Sequence, residues 1–116
     1  MQKFEFSYDI ENDDLFVYHK GKKTKGSIEL GSVIIDIDNE GKINAIQIIN
    51  ASKYISKIIK NISKDMLKKI KACKIEFKHD QNVIIIRLFL IFENKTPKLL
   101  IPISLPSITR ASPASR

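Results

Sequence analysis

Closely spaced carboxylates are the residues best placed to do chemistry. Asp36, Asp38 and Glu40 alternate ahead of Gly41, with Ile43 and Gln47 beyond. Counted from Asp36, the acids fill positions 1, 3 and 5, glycine position 6 and an aliphatic position 8. That is the spacing of a calcium-binding EF-hand loop, so these three are candidate metal ligands. Two features oppose it. Position 12 is Gln47, which cannot supply the bidentate carboxylate that such a loop needs. The flanks, Ser32–Ile35 and Ile46–Ile49, read as strands, whereas an EF-hand is framed by helices. A solvated hairpin tip with Gly41 in the turn explains the same residues and is the better reading.

Asp9, Glu11, Asp13 and Asp14 form a second acidic group. It could hold a divalent cation or supply a general acid and base. A catalytic carboxyl needs partial desolvation to bring its pKa toward neutrality, and nothing in the sequence provides that. A turn whose carboxylates accept backbone N–H groups is the plainer reading. No residue is assigned as catalytic, and no cofactor is expected.

Lys53, Lys57, Lys60, Lys64, Lys68 and Lys71 recur every three or four residues, followed by Lys74. On a continuous helix they would form a stripe able to bind the phosphates of RNA or DNA. Aromatic interleaving for base stacking is absent, and no nucleic-acid-binding signature accompanies them. A solvated face in a lysine-rich chain is the simpler alternative. Cys73 is the only cysteine, which excludes an internal disulfide and argues against thiolate zinc. Lys71 and Lys74 beside it could lower its pKa, but a buried, inert thiol is the better reading, since free cysteines are usually buried. Two scattered histidines make no nucleophilic triad. Gly21, Gly26, Gly31 and Gly41 are spaced as turns, not as a phosphate loop.

The elements that must position these groups follow from periodicity. Lys3–Ser7 alternates, and Leu15–His19 resumes a strand after the acidic break. Ser27–Leu30 and Ser32–Asp38 are extended, with a kink at Gly31. Residues 39–42 turn, and Ile43–Ile49 returns. Then Ala51, Tyr54, Ile55, Ile58, Ile59 and Ile62 fall on one helical face. Asn50 is the expected N-cap, and Ser63 is expected to cap a second helix after a break at 61–63. Lys74–Lys78, Val83–Phe92 and Lys98–Leu105 are later strands, the last an edge because of Pro102. The expected fold is α+β: an antiparallel meander, a helical segment over about 51–71, then two or three strands, with the helices on one face. Residues 1–105 make one domain, and 106–116 read as a flexible tail.

Two segments carry a resemblance. Tyr8-Asp9-Ile10-Glu11-Asn12-Asp13-Asp14-Leu15-Phe16-Val17 fits a Y-D-x-E-x-D-x-L-aromatic-aliphatic opening. Asp36-Ile37-Asp38-Asn39-Glu40-Gly41-Lys42-Ile43, then Ile46-Gln47-Ile48 and Asn50-Ala51-Ser52, fits D-x-D-x-x-G-x-I…I-E-I…A-S. Together they resemble a prokaryotic family, domain of unknown function 2283, over about residues 3–55. Gln47 departs from the usual glutamate. The resemblance implies a β-meander followed by a helix, and it implies no activity.

Size, charge and hydropathy complete the reading. The chain has 116 residues, 43% of them hydrophobic, and a formal charge of +7. Residues 1–50 hold 6 lysines against 9 carboxylates, and residues 51–116 hold 14 basic against 4 acidic side chains. The second half is therefore the one suited to an anionic partner. Charges alternate through the N-terminus, and Val83–Phe92 is interrupted by Arg87 and too short to span a bilayer as a helix. A cytoplasmic protein without membrane association is expected. Val83–Phe92 is apolar on both sides, more than one helical pair can cover. Ile84, Ile86, Leu88 and Leu90, with Arg87, are therefore interface candidates for a homodimer or a protein partner. The leading functional expectation is a non-enzymatic binding or assembly module working through a protein interface. A nucleic-acid-associated protein using the lysines is the alternative, and a metal-dependent enzyme using the acidic turns is the third.

Overall fold

A computed structural model describes residues 2–21, 23–80 and 83–104. The tail expected at 106–116 lies outside the described residues. Strands β1 (Gln2–Asp9), β2 (Asp14–Tyr18), β3 (Gly26–Leu30), β4 (Val33–Ile37) and β5 (Ile43–Ile49) precede α1 (Ala51–Ser56) and α2 (Lys64–Leu67). Strands β6 (Ala72–Asp80), β7 (Val83–Ile91) and β8 (Lys98–Ser104) follow. All eight strands join one antiparallel sheet in the order β3-β4-β5-β2-β1-β6-β7-β8.

Alternation decides which side chains point inward. Leu15 and Val17 of β2, Val33 and Ile35 of β4, and Ile46 and Ile48 of β5 are buried. Ile75 of β6 and Ile86, Leu88 and Leu90 of β7 join the same core. The strand between the two halves makes this possible. Residues 2–4 of β1 pair with β6, while residues 5–9 pair with β2. The partner change lets the sheet curl into a half-barrel whose inner faces share one core.

The expected α+β layering is therefore corrected: the described residues are mostly β, and no helical layer among them covers the sheet. The segment expected to be helical over 51–71 yields helices of only 6 and 4 residues. Three local facts explain this. The N–H groups of Lys57 and Ile58 bond to the carbonyls of Tyr54 and Ile55, tightening the last turn of α1. Asn61 adopts φ 66°, which ends helical continuation. Four β-branched isoleucines between 51 and 62 add little helix propensity. The presumed isoleucine stripe is split accordingly: Ile55 is fully buried, whereas Ile58 is 46% exposed.

Two further expectations change in detail. Asn50 stands at the N-cap of α1 without a side-chain cap bond, and it takes a left-handed conformation instead (φ 53°). Ser63 does cap α2, accepting from the Met66 N–H at 3.2 Å. Gly31, at φ 61°, turns β3 back onto β4 as a hairpin and is more than a kink. β8, which contains Pro102, lies at an edge of the sheet. Among the described residues no helix is long and apolar enough to cross a membrane.

Candidate functional site

The acidic opening becomes a latch. Asp13 sits at the tip between β1 and β2, only 5% exposed, with φ 54°. Its Oδ1 accepts the Tyr8 hydroxyl at 2.5 Å and the Ser52 N–H at 3.0 Å. Its Oδ2 accepts the Ser52 hydroxyl at 2.7 Å and the same N–H at 3.1 Å. The Ala51 N–H donates to the Asp13 carbonyl at 2.8 Å. The tip is thus fastened to the start of α1 by donors 39 residues away. Burial alone would raise the Asp13 pKa, but the Ser52 hydroxyl, the Tyr8 hydroxyl and the Ser52 N–H outweigh it and hold the carboxyl below its usual range. Burial, then the hydrogen bond to Asp13 and its charge, pushes the Tyr8 phenol up. A general base needs the opposite shift and open access. The Asp13 carboxylate thus accepts donors that join the β1–β2 tip to the start of α1.

Its neighbours are similarly engaged. Asp9 accepts from the Asn12 side chain and from the Asn12 and Glu11 N–H groups, which lowers its pKa. Asp14 accepts both contacts of the Gln47 amide, at 2.8 and 3.1 Å. That gives Gln47 a reason to be an amide, since a glutamate there would face the Asp14 carboxylate.

The metal candidates also serve hairpins. Asp36 accepts the Ser27 hydroxyl at 2.6 Å across β3 and β4. Asp38 accepts the N–H groups of Glu40 and Lys42 at 2.9 and 3.0 Å, closing the turn that Gly41 makes at φ 76°. Glu40 lies 3.6 Å from the Lys42 ammonium on the exposed tip. Among the described residues no three His, Cys, Asp or Glu gather as a metal cage.

Lys53, Lys57, Lys60, Lys64, Lys68 and Lys71 are all exposed. They are spread over two short helices and the bend between them, so the straight stripe of a long helix does not form. Lys68 and Lys71 instead meet Lys69 and Lys95, two residues that periodicity had not singled out, around a cleft of about 480 Å³ between the end of α2 and the β7–β8 turn. Cys73 is fully buried, and burial pushes its thiol up to about 12. The flanking lysines therefore do not activate it, and the buried, inert thiol favoured from the sequence is what the fold holds.

The interface candidates divide by face. Ile86, Leu88 and Leu90 are fully buried in the chain's own core and offer nothing to a partner. Ile84 lies outside the residues whose side chains are described. Arg87 points to the other face and pairs with Glu76 at 2.8 Å, its register neighbour on β6. The outward side of β7 is lined by half-buried Ile85, Phe89 and Ile91.

A more exposed surface lies on the other half. Phe16 is 37% exposed and stacks on Tyr18 with ring centres 4.9 Å apart. The row Phe16–Gln47–Ile34 runs across β2, β5 and β4, with Ile49 (39% exposed) beside it. Glu5 is paired with Tyr18, Asp14 with Ile49 and Glu29 with Ile34, so carboxylates rim the patch. The signal for it was present in the alternation: if Leu15 and Val17 point inward, Phe16 points out.

An uncharacterised protein of Methanocaldococcus jannaschii is 38% identical over 66 residues, 57% of each chain. A Methanosarcina mazei protein, provisionally named as a hypoxanthine phosphoribosyltransferase, is 39% identical over 66 residues, 57% of this chain and 50% of that one. The chain thus spans between half and three-fifths of the length of these archaeal relatives. No solved structure matches. Tyr8, Asp13, Phe16, Gly41 and Ser52, whose positions build the latch, the turn and the outer patch, all fall within residues 5–52, the stretch that matches the family described as a protein of unknown function, DUF2283.

Proposed function

We propose that the chain is a binding and assembly module without chemistry of its own, and that its partner is a protein with a basic surface received on the outer face of β2, β5 and β4. One observation carries this reading. Within the family-like opening, Tyr8, Asp9 and Asp13 hold the latch, and Leu15 and Val17 fill the core. Phe16 has no such task, and its ring is partly in solvent against Tyr18. Full burial of an exposed phenylalanine is worth about 1.5–3 kcal/mol, and a partner that covers Phe16, 37% exposed, gains the corresponding part of that. Aromatic anchors ringed by polar residues are the usual centre of a protein interface. The rim of Glu5, Asp14 and Glu29 favours a basic partner and opposes a symmetric pairing of two such faces.

The non-enzymatic part is supported by how the carboxylates are used: Asp13, Asp9, Asp36 and Asp38 each accept donors from their own hairpin or latch. The name of the M. mazei relative would replace binding with catalysis. An assay of phosphoribosyl transfer to hypoxanthine is expected to give no product with this chain, and product formation would decide for that name.

The experiment for the interface is co-purification from the cells that make the protein, with wild type and Phe16→Ser as parallel baits. A defined basic protein held by wild type and lost by the variant, at unchanged melting temperature, is the expected result. The same companions on both baits would refute the proposed face.

A further inference from the structure

We propose that the cleft between the end of α2 and the β7–β8 turn binds a small phosphorylated ligand with a flat apolar end, of the nucleotide kind. Its charge comes from two segments far apart in sequence. Lys68, Lys69 and Lys71 arrive from the end of α2, and Lys95 arrives from the turn. Backbone bonds fix both walls: the Lys71 N–H donates to the Ile91 carbonyl at 2.7 Å, and the Phe92 N–H to the Lys95 carbonyl at 3.0 Å. The arrangement is therefore part of the fold and not four lysines that drift together.

Four lysines line this concavity against a single carboxylate residue, Glu93. None of the four has an ion-pair partner within 4.0 Å among the described residues. Like charges gathered at a concave surface raise the local potential, and an anion turns that repulsion into attraction. A phosphate monoester, carrying about −1.5 to −2 at neutral pH, exploits this better than a carboxylate. The lining is not wholly polar. Ile70 and Phe92, both buried, line it with the lysines, and Met66 is packed partly against the core. A lining both apolar and charged suits a ligand with one ionised and one flat end. The volume of about 480 Å³ lies within the roughly 300–1,000 Å³ of small-ligand pockets. A polymer is the poorer fit, because Lys53, Lys57 and Lys60 do not line the cleft and a backbone-tracking groove needs a continuing row of cations.

The test is calorimetric titration of the whole chain with adenosine monophosphate, inorganic phosphate, adenosine and a single-stranded RNA oligonucleotide. Two exposed pairs are compared, Lys69→Gln with Lys95→Gln inside the cleft and Lys53→Gln with Lys57→Gln outside it, with melting curves to verify folding. The expected result is adenosine monophosphate bound more tightly than either of its parts. Its affinity falls about tenfold or more in the cleft variant, equivalent to about 1.4 kcal/mol, and stays unchanged in the outer variant. No binding of adenosine monophosphate overturns the proposal. So does an equal loss in both variants, or RNA binding that is tighter and sensitive to both pairs, since each means diffuse charge and no site.

Discussion

Asp13 concentrates the residue-scale physics of this protein. A charge this enclosed is tolerated only because four donor contacts reach its two oxygens. Asparagine also accepts the left-handed backbone, so Asp13→Asn removes the charge and leaves the conformation. The loss of charge-assisted bonds is expected to cost about 2–3 kcal/mol at neutral pH, read from chemical denaturation. The pH dependence has a fixed sign. The folded carboxyl titrates below its unfolded counterpart, so its stabilisation is complete above the unfolded pKa of about 4 and disappears as pH falls through the folded value. The gap between wild type and variant should narrow in acid; a gap constant from pH 7 downward would mean that the charge is not what holds the latch. The sequence made the acidic cluster legible as a turn, but not the burial of one member. Ser52, the donor that matters, stands 39 residues away, and local spacing carries no trace of it. Cys73 illustrates the reverse: its charged neighbours in sequence point away from its actual, apolar surroundings.

At the scale of elements, strands and turns were readable because period two and positive-φ glycines are local properties. The helices were readable in their starts, after Asn50 and Ser63, and in the break at 61–63, but not in their length. A 3.6-residue pattern tells which side chains would share a face if the chain were helical, and it does not tell whether the helix continues. Here Asn61 and the tightened turn after Tyr54 stop it. The contrast between two isoleucines measures this. Ile55→Ala empties a fully buried site and is expected to cost about 2–4 kcal/mol, whereas Ile58→Ala, at 46% exposure, should stay within about 0.5 kcal/mol. Equal losses would restore the long amphipathic helix. Asn50 offers a second handle on the same junction. Its left-handed φ of 53° suits glycine, while a β-branched residue there should lose about 1–2 kcal/mol. Asn50→Gly should therefore melt near wild type and Asn50→Val several degrees lower.

Among the described residues the molecule is a curled sheet with β3 and β8 at its edges, and the two halves of the sequence carry opposite charge. The charge split was plain from composition. The curl was not, since it arises where β1 trades β6 for β2 partway along its length, a property of pairing and not of residue type. The two features together bear on self-association. A carboxylate-rimmed face repels its own image, which disfavours the two-fold dimer expected from the apolar β7 stretch, whose inner residues are in any case spent on the core. The same face is complementary to the lysine-rich half of a second copy, in a head-to-tail contact. Such a contact rests on exposed charges and weakens as the screening length shrinks from about 10 Å at 0.1 M salt to about 3 Å at 1 M. Light scattering should find the 13.3 kDa monomer at high salt and a mass that grows with protein concentration at low salt. Phe16→Ser should blunt that growth, because it removes the apolar contact at the centre of the acidic rim. A concentration-independent dimer that ignores salt would place the contact on the outer side of β7, around Phe89 and Ile91, and return that strand to the centre of the molecule's associations.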